Sequence, residues 1–139
     1  MTQNQVLTGK PSIDRPWMKF YPEEVQMLQI PECTLNSYLE QRCGSKDNIA
    51  IHYYGTDTSW SDFLNQADRT AKALKAVGFG VGDQIPVFLR SVPEFLILLL
   101  AAEKIGARLV CRDNLPHENA EAVKKTGSSI VFAHDFISQ

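Results

Sequence analysis

The hydrophobic and polar positions change texture near residue 30, and from there to the end they spell short alternating elements. Leu35, Tyr38, Leu39 and Arg42 fall on helical spacing, with Thr34 placed to cap and Gly44 to stop the helix. Ile49, Ile51 and Tyr53 then alternate with Ala50, His52 and Tyr54, the period of a half-buried strand. A turn at Gly55, Thr56 and Asp57 leads to a second short strand around Trp60, so a β-hairpin is expected. Phe63, Leu64, Ala67, Thr70, Ala71, Leu74 and Val77 recur at steps of three and four and predict an amphipathic helix over 61–77. Its polar face carries Asp62, Gln66, Arg69 and Lys72.

A strand is expected over Ile85 to Leu89, with Pro86 at its first residues or on an unpaired edge because proline donates nothing to a ladder. Ser91-Val92-Pro93-Glu94 reads as a capping box opening a helix over 92–105. That helix is apolar on nearly every face, so a sheet alone cannot cover it. Gly106 closes it, Arg108 to Arg112 predicts a second parallel strand, and Asn114, Pro116 and Glu118 begin a polar helix that runs to about Thr126. Gly127 ends this helix, and Ile130, Val131 and Phe132 predict a third parallel strand. The alternation of helix and strand predicts an α/β fold in three layers, a mostly parallel sheet flanked by helices.

Residues 1–33 read as an N-terminal arm. Pro16, Trp17, Phe20, Tyr21, Pro22 and Pro31 predict an extended segment laid against a body, since each pre-proline residue is biased to extended backbone. Residues 34–139 carry the α/β pattern, and at 139 residues the chain has room for one ordinary core. A net charge of −2 with interspersed signs implies neither nucleic acid nor an anionic membrane as partner. The apolar run from Phe95 to Ala102 lies between Glu94 and Glu103-Lys104, far short of the roughly 20 residues of a membrane span. The first residues, MTQNQVLTGKPSIDRPW, lack the apolar stretch of an export signal. Three cysteines, Cys33, Cys43 and Cys111, form no CxxC pair, and buried apolar packing is the expectation for each, Cys111 above all. A cytoplasmic location fits these features.

Several short motifs have the composition of binding sites but the wrong context. Gly78, Gly80 and Gly82 stand at alternate positions, yet they follow a helix and enter a strand, the reverse of a dinucleotide loop. They are expected to stop one element and start the next. Thr8-Gly9-Lys10-Pro11-Ser12 contains a Gly-Lys without the upstream glycine, preceding strand or following helix of a phosphate loop. Thr126-Gly127-Ser128-Ser129 again follows a helix, so a helix stop is expected. His52, His117 and His134 share no metal-ligand spacing, and His134-Asp135 has no nucleophile nearby. No catalytic, cofactor-binding or metal-ligating residue is assigned on these grounds.

Four segments in order resemble the AMP-forming acyl-CoA synthetases, the adenylate-forming enzymes. Thr58-Ser59-Trp60-Ser61-Asp62-Phe63-Leu64 is similar to that family's T-[YFW]-x-[ED]-[LF], and Gly80-Val81-Gly82-Asp83-Gln84-Ile85-Pro86-Val87 to its G-V-x-x-G-D-x-V-x-V with a shorter loop. Ser91-Val92-Pro93-Glu94-Phe95 resembles N-S-P-E-F, and Lys104-Ile105-Gly106-Ala107 resembles the start of G-A-x-x-x-P. Arg15-Pro16-Trp17 with Tyr21-Pro22 looks like the arm of long-chain fatty-acid CoA ligases. The chain departs from the pattern at Pro86 and at Cys111-Arg112-Asp113. The resemblance, over roughly residues 15–135, implies an N-terminal fragment of a larger ligase that activates a carboxylic, fatty, acid with ATP and Mg2+ and passes it to coenzyme A. It also implies that 34–139 is an incomplete domain, with the rest of the synthetase as partner and the catalytic motifs outside this chain. The apolar helix 92–105, deprived of a neighbouring subdomain, is then expected to drive self-association. The competing expectation is a non-catalytic flavodoxin-like binding module, for which only Asp113 and Asp135 stand as acidic residues after strands.

Overall fold

The computed structural model describes residues 7–112 and 116–134. The chain divides into two units, Met1–Glu32 and Cys33–Gln139.

In the first unit the expected extended segment is replaced by single helical turns: α1 (Pro11–Asp14), a 3-10 turn (Met18–Phe20) and α2 (Glu23–Gln26). The prolines permit this because they stand where a helix needs no donor. Pro11 is the first residue of α1 and Pro22 caps α2.

The second unit opens with α3 (Leu35–Arg42), capped by Thr34, whose hydroxyl accepts from the Ser37 N–H. β1 (Ile49–Tyr53) and β2 (Thr56–Ser59) form the hairpin, joined at Tyr54 and Gly55, both with positive φ. A register shift between Ile49 and Ile51 breaks the expected alternation. Ala50 and Ile51 therefore both reach the core while Ile49 stays exposed. Trp60 is not a strand residue. It begins α4 (Trp60–Ala76), because Ser59 accepts from the Asp62 N–H at 3.0 Å and donates to the Asp62 carboxylate at 2.8 Å.

β3 (Gln84–Phe88), α5 (Pro93–Ile105), β4 (Arg108–Cys111), α6 (Pro116–Thr126) and β5 (Phe132–Ala133) complete the unit. The three strands make a parallel sheet in the order β4-β3-β5. In this order the β3–β4 and β4–β5 connections run in opposite directions across the sheet, and the right-handed rule for such crossovers puts α5 and α6 on opposite faces, the α/β layered fold expected from the sequence.

Pro86 departs from expectation: it is buried in the central strand, opposite Val110. The hydrogen bonds explain how. The Arg108 N–H donates to the Asp83 carbonyl and the Arg112 N–H to the Val87 carbonyl, so the peptide groups of 83, 85 and 87 address β4. Pro86 addresses the other side, where the β5 ladder starts only at Val87 opposite Phe132. Its missing donor falls where no strand asks for one. The third strand also begins two residues later than its apolar run, at Phe132.

The capping box at Ser91 does not form. Val92 occupies the cap position of α5 with no side-chain hydrogen bond. Pro93 at the first helical position still removes one donor that would otherwise lack a partner.

The apolar helix α5 finds its second cover inside the chain. Leu98, Ala101, Ala102 and Ile105 pack with Ile85, Val87, Ala71 and Leu74 on the sheet side. Leu100 packs with Phe63 and Ala67 of α4, against Ala50, Ile51, Trp60 and Leu39. Burying each such leucine or isoleucine contributes about 1.5–3 kcal/mol, so the helix is held by both clusters. The packing therefore gives no support to self-association through 92–105, whose premise was an uncovered face. Two cysteines also differ from expectation: Cys33 and Cys111 are exposed, and Cys43 alone is buried. Cys111 lies on β4, an edge strand with no neighbour beyond it among the described residues, so its strand position does not enclose it.

Candidate functional site

The loop between α4 and β3 holds the glycines, and its hydrogen bonds decide what they do. The Gly78 N–H donates to the Lys75 carbonyl at 3.0 Å and the Phe79 N–H to the Leu74 carbonyl at 3.0 Å, the paired bonds of a Schellman stop. Gly78 makes this possible with φ of +100°, a conformation a side chain disfavours. The Gly80 N–H donates to the Asp83 carboxylate at 2.7 Å, and the Gly82 N–H to the Gly106 carbonyl at 2.8 Å. All three glycine donors are thus spent within the fold, and the loop offers no cradle for a phosphate.

The other two phosphate-like segments are satisfied in the same way. Asp14 accepts from the Thr8 and Gly9 N–H groups, each at 2.9 Å, and from the Thr8 hydroxyl at 2.7 Å. The Gly-Lys segment does lead into a helix, the single turn α1, but a carboxylate already fills the place an anion would take. In Thr126-Gly127-Ser128-Ser129 the Thr126 hydroxyl donates to the Val123 carbonyl at 2.8 Å, and the Ser128 hydroxyl donates to the Ile130 carbonyl at 2.8 Å. This loop and the glycine loop line one open cleft of about 220 Å³, with Phe79, Asp83 and Gln84 between them. The cleft lies at the amino ends of the strands, opposite to where such sheets bind ligands.

At the carboxyl ends the chain presents Arg90 and Ser91 after β3, Arg112 after β4 and His134 after β5. Arg90, Ser91 and Arg112 are exposed. With β3 in the centre, the connection from β3 to β4 and the return from β4 to β5 run in opposite directions, so this edge contains the topological switch point of the sheet. Asp113 and Asp135, the acidic residues on which a flavodoxin-like module would depend, lie outside the described residues, as does the side chain of His117.

His52 pairs with Asp57, its direct partner across the hairpin, and both side chains are largely exposed. Among the described residues, no group of three or more His, Cys, Asp or Glu side chains is arranged to hold a metal. Cys111 is exposed, and the desolvation that remains on its strand raises its thiol. No described helix is long and apolar enough to cross a membrane.

One feature the sequence pattern did not flag is the Ser59–Asp62 box that sets α4. Its signal, a serine three residues before an acid at the head of an apolar period, is present at Ser59-Trp60-Ser61-Asp62.

Comparison with known proteins gives this scaffold its context. A family model described as AMP-binding enzyme matches residues 39–139. The long-chain-fatty-acid–CoA ligase of Bacillus subtilis is 27% identical over 127 residues, covering 88% of this chain and 23% of the ligase. The acetyl-coenzyme A synthetase of Alkalilimnicola ehrlichii is 34% identical over 86 residues, covering 58% of this chain and 13% of the synthetase. The crystal structure of apo MatB from Rhodopseudomonas palustris superposes with a TM-score of 0.64 at 23% identity, over 72% of this chain and 21% of MatB. The chain thus spans less than a quarter of the length of these relatives. A family match across more than two-thirds of its residues and the shared layered fold place this chain in the AMP-binding enzyme family.

Proposed function

We propose that this chain is the amino-terminal part of an AMP-forming acid–CoA ligase whose substrate is a fatty acid. In the whole ligase ATP and Mg2+ would activate the carboxylate as an acyl adenylate, and coenzyme A would accept the acyl group. The remainder of the synthetase would be the partner of this part. The residues present here would support that site rather than perform the reaction. The observation that carries this reading is the similarity to a long-chain-fatty-acid–CoA ligase over 88% of the chain. The internal use of all three glycine donors supports the inactivity of this part alone.

Two measurements test it. ATP–pyrophosphate exchange by the 139-residue chain with fatty acids of graded length should stay at background, and turnover would refute the claim of inactivity. The reading frame after Gln139 should encode a Ser/Thr/Gly-rich loop ending in Pro-Lys. The ligase containing it should form acyl-CoA from a fatty acid faster than from acetate, and a preference for acetate would overturn the fatty-acid assignment.

A further inference from the structure

The helix α3 is joined to the rest of its unit differently from α4 and α5. Its one buried residue is polar: Asn36, 7% exposed. The attachment is a clamp on one carboxylate of α5. The Leu35 N–H donates to Glu103 Oε1 at 2.8 Å and the Asn36 N–H to Glu103 Oε2 at 2.8 Å. The Asn36 amide also donates to Glu103 Oε2 and, at 3.1 Å, to the Leu100 carbonyl. Glu103 thereby satisfies the two first N–H groups of α3, the end where a helix dipole favours an anion. Beside it Lys104 reaches Glu40 of α3 at 3.5 Å and Asp68 of α4 at 2.9 Å.

The apolar share of this attachment is small. Leu39 is half-buried against the cluster of Phe63, Ala67 and Leu100, whereas Leu35 and Tyr38 are exposed. Among the described residues one buried side-chain atom is left without a partner, the Asn36 Oδ1. A buried acceptor with no donor is unfavourable, and the cost is recovered as soon as water reaches it. Just past α3 the chain is fixed again: the Trp60 N–H donates to the Asn48 carbonyl and the Ser61 N–H to the Lys46 carbonyl, both at 2.9 Å. Between the clamp and this anchor lies Gly44, in the left-handed region at φ +63°.

We propose that α3 is a latch that opens as a unit about Cys43-Gly44 while α4, α5 and the sheets stay folded, and that Glu103 is the positioning residue that keeps it shut. Opening hydrates Asn36 Oδ1 and withdraws Leu39 from the Phe63–Ala67–Leu100 cluster. Both α5 faces keep their covers from the sheet and from α4.

Native-state hydrogen exchange on the 139-residue chain, in a series of low urea concentrations, tests this without any variant. The amides of 37–42 should exchange through an opening with a small urea dependence, while those of 98–102 exchange only by global unfolding. A single urea dependence shared by both groups would overturn the latch. The variant Glu103→Gln keeps the shape but turns one acceptor into a donor facing N–H groups. It should raise exchange at 37–42 by about tenfold or more relative to 98–102. Asp68→Asn, which loosens the α4 side of the Lys104 bridge, should leave α3 exchange within about twofold of the parent, because Asp68 is half-exposed and Lys104 keeps its bridge to Glu40 of α3. Equal acceleration of all amides in Glu103→Gln, or an α3-selective effect of Asp68→Asn with none of Glu103→Gln, would refute the assignment to Glu103.

Discussion

At the residue scale the left-handed backbone positions give the sharpest expectations. Gly106 closes α5 at φ +75°, with its N–H on the Glu103 carbonyl and the Ala107 N–H on the Ala102 carbonyl, both at 3.0 Å. A Cβ there would meet Val81 Cγ2 at 3.0 Å, but Val81 is exposed and its methyl can turn away. Backbone strain therefore dominates, and Gly106→Ala should cost about 1–2 kcal/mol, read as a lower urea midpoint at unchanged slope. Tyr54 presents the opposite case. It takes φ of +45° at the hairpin tip, 92% exposed, and meets Tyr53 edge to face at a centroid distance of 4.7 Å. The left-handed strain is about 1–2 kcal/mol for an ordinary side chain, while an aromatic pair is worth about 0.5–1.5 kcal/mol and least when exposed. Strain outweighs the ring contact, so Tyr54→Asn should raise the urea midpoint, and a fall would show that the ring pair is the stronger term. These positions differ in how far the sequence discloses them. Gly78 and Gly106 announce helix stops by type and place, whereas the Tyr54 turn contradicts residue preference and is imposed by the pairing of β1 with β2.

At the element scale the periodic segments were legible, and the errors lie where tertiary pairing decides. The helices α4 and α5 follow from their apolar spacing, within a residue of the expected ends. Pro86 could not be placed from sequence because its tolerance depends on which neighbour each peptide group faces, and on β5 starting two residues late. The Ser91 box failed because Val92 takes the cap position. The clamp on α3 was invisible for another reason: Asn36 and Glu103 are 67 residues apart and neither has a local signature. That clamp gives a pH expectation. Partial burial pushes the Glu103 carboxyl up, but the N–H and side-chain amide of Asn36, the Leu35 N–H and the Lys104 charge together hold it below its usual 4.5. A carboxyl lowered in the folded state binds its proton more readily when unfolded, so its stabilising contribution is present above 4.5 and is lost as pH falls through the folded value. The charged groups around it are Lys104 on α5, with Glu40 of α3 and Asp68 of α4 held through that lysine. Urea midpoints measured from pH 7 down to 3 should fall below about 4.5, and Glu103→Gln should flatten part of that fall while losing about 1.5–3 kcal/mol at pH 7. An unchanged pH profile in the variant would remove Glu103 as its source.

At the scale of the whole molecule the sequence disclosed the layered class and the family, but not how the most apolar helix is enclosed. The texture of residues 92–105 shows that two covers are needed, and the identity of the second follows only from the close approach of α4 and α5. Small residues permit that approach. Ala67 and Ala71 on α4, with Ala101 and Ala102 on α5, are all buried. The consequence is that α5 belongs to both clusters, one reaching the three-stranded sheet and the other the hairpin and Trp60. Residues 33–134 should therefore unfold in one transition apart from the opening of α3, because neither cluster keeps its cover once α5 leaves. Ala101→Leu tests this from the centre. The added bulk has no void to enter at a residue that is 0% exposed, and overpacking of this kind costs about 1–3 kcal/mol. In a Trp17→Phe background, where Trp60 is the only tryptophan, its fluorescence reports the hairpin cluster while far-UV circular dichroism reports the helices and sheet together. Both signals should shift to the same lower urea midpoint. Separate midpoints, with Trp60 unmoved, would mean that the two clusters are independent and that the packed pair α4 and α5 does not join them.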